Sequence, residues 1–206
     1  VLIYAIGGYS IGDTLPLWVT ALAEIPLWVG LVGAALLATK RKGTGSLRAD
    51  FGLAMRPSDV PLGLVAGFVG QIGIVLVVTP IYRLLGVDTN KVGATARDLA
   101  DRAVHTPDVV LLVAVVVIGA PVIEELFYRG LVLRSIERRW GTGFAVVATS
   151  VTFAVLHFQP YDLLPLTLFG LIASTLAART GRLGPGIWAH VAFNLTAVVS
   201  LLASSR

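Results

Sequence analysis

The sequence predicts an all-α fold, a polytopic bundle of transmembrane helices, and three observations carry that prediction. Of 206 residues, 56% are hydrophobic and only 14% charged, where a soluble domain would carry about 25% charged residues. The mean hydropathy is +0.85. The charge deficit falls in long uninterrupted blocks, the pattern of membrane spans rather than of one large soluble core.

A helix needs about 20 residues to cross a hydrocarbon layer of about 30 Å. Six spans meet or approach that length: Leu15–Thr39, Val60–Leu85, Asp108–Arg134 with a basic extension, Gly143–Phe158, Leu163–Ala178 and Gly186–Ala203. Pro57, Pro107 and Pro185 each precede a span, where a missing N–H costs little. The opening VLIYAIGGYSIG is too short to span and lacks the basic flank of a signal peptide, so it is expected to be the remainder of a truncated helix. One integrated membrane domain is expected, with N-terminal spans and loops over 1–107 and a catalytic core over 108–206.

Charge sets the orientation. Lys40, Arg41, Lys42, Arg48 and Arg56 fall in one long loop, Arg134, Arg138 and Arg139 in the turn after the third span, and Arg179 and Arg182 after the fifth. These loops alternate along the chain, as they must if all are cytoplasmic. The loop Gly86–Pro107 carries balanced charges and suits the outside. The net charge of +4 and the lack of a basic run with interleaved aromatics argue against nucleic acid. Without cysteine, thiolate metal sites, disulfides and cysteine nucleophiles are excluded.

An ionised side chain at a helix centre costs at least ~2.5–3.5 kcal/mol on insertion scales, so each one needs a reason. In PVIEELFYRG, Pro121–Gly130, Glu125 and Arg129 are four apart and meet on one helical face, while Glu124 shares its face with Tyr128 and has no cation in reach on its own helix. One carboxylate is structural and the other free. Desolvation raises the pKa of a carboxyl toward neutrality, which suits a general acid or base. Buried ion pairs that merely hold helices together are the competing explanation.

His157 lies 14 residues after Gly143, and Glu124 lies 16 before Trp140. At 1.5 Å per residue these are roughly 21 and 24 Å from the intervening turn, nearly one depth on adjacent antiparallel helices. His190 and Asn194 form a second pair four apart, with His190 nearer the cytoplasmic turn than Glu124. Glu24 and Gln71 lack a partner pattern and are expected to pack or to line a cavity. No HExxH, GxSxG or GxGD motif is present.

EExxxR at Glu124, Glu125 and Arg129, FxxxH at Phe153 and His157, and HxxxN at His190 and Asn194 follow one another on successive helices. Together with APVIEELFYRG and RTGRLGPGIWAHVAFN, they resemble the CPBP intramembrane proteases, the type II CAAX prenyl endopeptidase and abortive-infection group. The resemblance covers about Asp108 to Ala203. It implies a peptidase of the cell membrane, reached from the cytoplasmic side, acting on a peptide with a membrane-anchored or lipidated segment. By the same resemblance Glu124 would activate water beside His157, and His190 and Asn194 would hold the oxyanion. Glu125 and Arg129 would support them. Glu124, His157 and His190 are also the candidates for a divalent metal such as zinc, and a metal-free glutamate mechanism fits the same residues. The alternative is a non-catalytic protein of the same fold, acting in bacteriocin immunity or as a scaffold. A proton-coupled carrier is a third class, and no pseudosymmetric halves support it.

Overall fold

The structure, a computed structural model, describes residues 14–204. The expected helix remnant at the start of the chain lies outside the described residues. Eight helices are described: α1 (Leu17–Lys42), α2 (Leu47–Phe51), α3 (Asp59–Leu84), α4 (Ala94–Arg102), α5 (Thr106–Trp140), α6 (Thr142–Val155), α7 (Leu163–Thr180) and α8 (Gly184–Ser204). Single 3₁₀ turns occur at Thr89–Lys91 and Pro160–Asp162. The all-α expectation is met, and no strand occurs among the described residues.

Five helices, α1, α3, α5, α7 and α8, are long and apolar enough to cross a bilayer. Their outward side chains are apolar too, with Val65 63% and Leu76 69% exposed, surface that only lipid covers cheaply. The fourth expected span, Gly143–Phe158, is shorter than expected. It ends at Val155, because the N–H groups of His157 and Phe158 turn back to the carbonyls of Ala154 and Val155 and Phe158 enters the left-handed region at φ 55°. At 14 residues, α6 is about 21 Å long. The two long loops hold α2 and α4, short polar helices with no apolar block to announce them. Ser46 caps α2 by accepting from the Ala49 N–H, and Gly141 at φ 80° separates α5 from α6.

Helix α5 departs from regular α geometry twice, at Val113–Gly119 and Glu125–Val132, where the turns widen to π. Pro121 explains the first. The Ala120 N–H bonds the Val115 carbonyl, and the next residue has no N–H to offer Val116.

Close approach of backbones holds the bundle together. A Cβ on Gly63 of α3 would sit 2.5 Å from the Pro185 carbonyl oxygen of α8, and one on Gly67 would collide with Ala189. Small residues four apart permit such packing where lipid supplies no hydrophobic drive. On the basic side, Phe51, Leu126, Leu183 and Ile187 form a buried layer. The Leu183 and Gly184 N–H groups bond the carbonyls of Gly52 and Ala54. Arg182 grips buried Asp59 with two hydrogen bonds of 2.6 and 3.1 Å, which raises the guanidinium above its usual pKa.

Candidate active site

Glu125 and Arg129 meet as the spacing requires, Arg129 Nη1 donating to Glu125 Oε1 at 2.8 Å with both side chains fully buried. A second donation runs from Nη2 to the Gly170 carbonyl at 3.4 Å, and the guanidinium stacks over Phe153, 4.5 Å from its centroid. The widened turn of α5 does not part the pair.

His190 stands between the two glutamates. Its Nδ1 lies 3.2 Å from Glu125 Oε1 and its Nε2 lies 3.9 Å from Glu124 Oε2. Glu125 Oε1 already accepts from Arg129 and is placed to accept again, so Nδ1 is the donating nitrogen and Nε2 faces Glu124. The depth mismatch between His190 and Glu124 is absent: the two side chains approach to 3.9 Å, and α5 runs on to Trp140. Spacing alone gave no sign that Glu125 would reach His190.

Glu124 has the free carboxylate: its Oε2 is buried without a hydrogen-bond partner. It lines a cavity of about 280 Å³ that His157, His190 and Asn194 also line. His157 sits just past the end of α6, and its Nδ1 lies 2.6 Å from the Phe153 carbonyl. A carbonyl only accepts, so Nδ1 bears the hydrogen and Nε2 is left as a lone pair. Phe153 fixes the ring further by edge contact at 4.5 Å.

Asn194 is more constrained than its motif suggests. Its Nδ2 donates at 2.8 Å to the Val116 carbonyl, the acceptor that Pro121 leaves bare. One amide hydrogen therefore closes a gap in α5, and the other remains for the cavity. Glu24 also lines the cavity, close enough to Glu124 for their charges to interact. Its signal in the sequence was its isolation in an apolar helix. Gln71 is not among the lining residues; its Oε1 is buried without a partner.

The metal candidates Glu124, His157 and His190 share the cavity without converging. Among the described residues no group of three or more His, Asp or Glu could hold a metal ion. Both ring nitrogens of His190 already face carboxylates. The arrangement does not fit zinc.

Residues 106–196, from the start of α5 into α8, match the family model described as type II CAAX prenyl endopeptidase Rce1-like. That segment is thus similar to the group its motifs resemble, a family whose fold is that of a membrane peptidase, and the protein is an integral membrane protein. The chain is 31% identical over 96 residues to "Putative membrane peptidase YdiL" of Bacillus subtilis, an alignment covering 47% of this chain and 39% of that protein. It is 36% identical over 89 residues to "Uncharacterized 24.3 kDa protein" of Escherichia coli, covering 41% and 40%. The chain thus spans about two fifths of the length of these curated relatives. No solved structure matches it significantly.

Proposed function

We propose that the protein is an intramembrane endopeptidase of the cell membrane that hydrolyses a peptide bond in a membrane-associated or lipidated substrate, using a water activated by Glu124. The observation that carries this reading is the buried, unpartnered Glu124 Oε2 on the wall of a cavity that three further polar motif residues line. Leaving such an oxygen unpaired costs about 1–3 kcal/mol or more, a cost that a functional acceptor for water explains.

Water bound between Glu124 Oε2 and the His157 Nε2 lone pair gives its proton to Glu124 as its oxygen attacks the peptide carbonyl carbon. The second amide hydrogen of Asn194, and His190 when it carries a proton on Nε2, donate to the oxyanion. Collapse of the tetrahedral intermediate breaks the C–N bond. Glu124 returns its proton to the leaving amine, so a carboxylic acid and an amine are released. Arg129 holds the Glu125 carboxylate in place, and Glu125 holds the His190 ring, so this pair positions the ring without touching substrate.

The test is substrate capture. Glu124→Gln protein, purified from membranes by mild detergent, should retain peptides that the parent cleaves, with and without chelator. Failure of the parent to cleave any captured membrane peptide would remove the peptidase reading. Loss of cleavage only with chelator would restore a metal.

A further inference from the structure

Between Leu17 and Thr39, helix α1 carries one ionisable side chain, Glu24, in a span where an ionised group is costly. Packing does not account for it. Among the described residues nothing donates to its carboxylate and no cation pairs with it. The half-buried side chain instead lines the cavity, together with Thr20 and Trp28. Residues 20, 24 and 28 are four apart and share one face of α1. That face is pinned on both sides of Glu24. The Trp28 ring fills the space beside Gly119 of α5, where a Cβ would come within 2.5 Å of it. Thr20 accepts from Arg102 Nη1 at 3.3 Å.

The cavity has polar atoms left open for a ligand and supplies no cation to meet them. Glu124 Oε2 is buried without a partner, and His190, 4% exposed, makes no hydrogen bond through Nε2 among the described residues. No Lys or Arg among the described residues lines the cavity. Arg129 is fully buried in its bridge to Glu125, and Arg102 is shared among Asp98, the Leu15 carbonyl and Thr20. What does line the cavity is two carboxylates, Glu24 and Glu124, and the rings of Trp28, Phe153, Phe169 and Phe193. Carboxylates and aromatic faces both attract a cation, and more strongly in an apolar cavity than in water. Glu124 is committed to the attacking water; Glu24 is not.

The register of the helices sets the distance between the two carboxylates. Helices α1 and α5 run the same way, Leu17 sharing a buried cluster with Leu112 and Ala35 one with Leu126. Glu24 lies four residues before Trp28, and Glu124 lies five after the Gly119 that Trp28 meets. Their backbones are therefore about 13 Å apart along the bundle, the length of about four residues of extended peptide.

We propose that Glu24 is a specificity-determining residue: its carboxylate, with the Trp28 ring beside it, binds a lysine or arginine side chain of the substrate within about four residues of the scissile bond. The substrate brings the counter-charge that the cavity wall lacks. That the ligand is a substrate rests on the peptidase reading; that the cavity prefers a cationic peptide does not.

The probes are peptides with one apolar anchor and a Ser-Ala segment that carries a single Lys, Met or Glu, scanned along the segment. Mass spectrometry reads the bond cleaved. The parent should cleave the Lys peptides about 10–100-fold better in kcat/KM than the Met peptides, chiefly through KM. The bonds cleaved should lie within about four residues of the Lys. Glu24→Gln should bring the ratio down to about three or less, and Glu24→Lys should favour the Glu peptides. If Glu24→Lys does not accumulate in membranes, Glu24→Gln decides alone. A parent that treats Lys and Met alike, or a Glu24→Gln protein that keeps the parent's ratio, overturns the proposal. Binding of the same peptides to the Glu124→Gln protein, followed by fluorescence anisotropy, separates this proposal from the peptidase reading. A Lys preference in binding that Glu24→Gln removes, in a protein whose parent cleaves nothing, would sink the peptidase reading and leave the cation site standing. Equal binding of Lys and Met peptides would overturn the cation site.

Discussion

Replacing Arg129 by alanine strips the buried Glu125 carboxylate of its guanidinium partner. Both side chains are fully buried, and the bond between them is 2.8 Å. Removing one partner of such a pair costs about 3–5 kcal/mol, because the remaining charge is left uncompensated. The lost stacking over Phe153, at 4.5 Å, adds about 1–2 kcal/mol. Arg129→Ala should therefore destabilise the fold by about 4–7 kcal/mol. Removing both charges together, as Glu125→Leu with Arg129→Met, should return stability to within about 2 kcal/mol of the parent, since apolar residues of similar volume replace a costly pair. The same double variant should lose about 100-fold or more in cleavage, because His190 Nδ1 no longer has an acceptor to hold it. Unfolding by rising SDS in mixed micelles, followed by tryptophan fluorescence, measures the stabilities, and a tethered-peptide assay measures the rate. A single variant within ~1 kcal/mol of the parent, or a double variant no more stable than the single, refutes the reasoning.

Three other outcomes follow from local geometry. Asn194→Ala should cost about 1–3 kcal/mol by baring the Val116 carbonyl, and Pro121→Ala, which supplies an N–H in that turn, should recover at least half of it in the same unfolding assay. Gly67→Val should destabilise by about 1–3 kcal/mol or more, since its side chain meets the Ala189 backbone. It should also lower cleavage, because Ala189 neighbours His190; a neutral result in both assays would contradict the close packing of α3 on α8. The Thr39 hydroxyl, foremost, and the Thr44 N–H hold the Asp50 carboxyl below the usual carboxylate range. The stability this lends is complete above the unfolded value near 3.9 and is lost as pH falls through the lower folded value. Proteolytic nicking of residues 43–50 should therefore rise with acid below about pH 4, and the Asp50→Asn protein should be nicked readily at every pH.

How much of this was legible in the sequence depended on the range of the interaction. The Glu125–Arg129 bridge is local, four residues on one helix, and its spacing alone gave the pair correctly. The apolar blocks gave five spans because length and hydropathy are properties of a segment. The end of α6 was misplaced by three residues because it is set by backbone turns, not by composition. Helices α2 and α4 are short and polar, and without tertiary packing they look like loop. The bond from Asn194 to Val116 and the contact of His190 with Glu125 join residues 78 and 65 positions apart, and no local spacing encodes them. Glu24 was expected to pack or to line a cavity, and it lines one, yet its companion Glu124 lies on another helix, so their proximity could not be read in advance.

The central claim is that the Glu124 carboxylate takes a proton from water. The direct measurement is single-turnover cleavage of one membrane-tethered peptide by the parent, Glu124→Gln and Glu124→Asp proteins, all matched for folding by micelle unfolding. Glutamine keeps the shape and loses the base, so the rate should fall by about 10²–10⁴-fold, with aspartate between the two. A Glu124→Gln protein that cleaves at the parent's rate would contradict it.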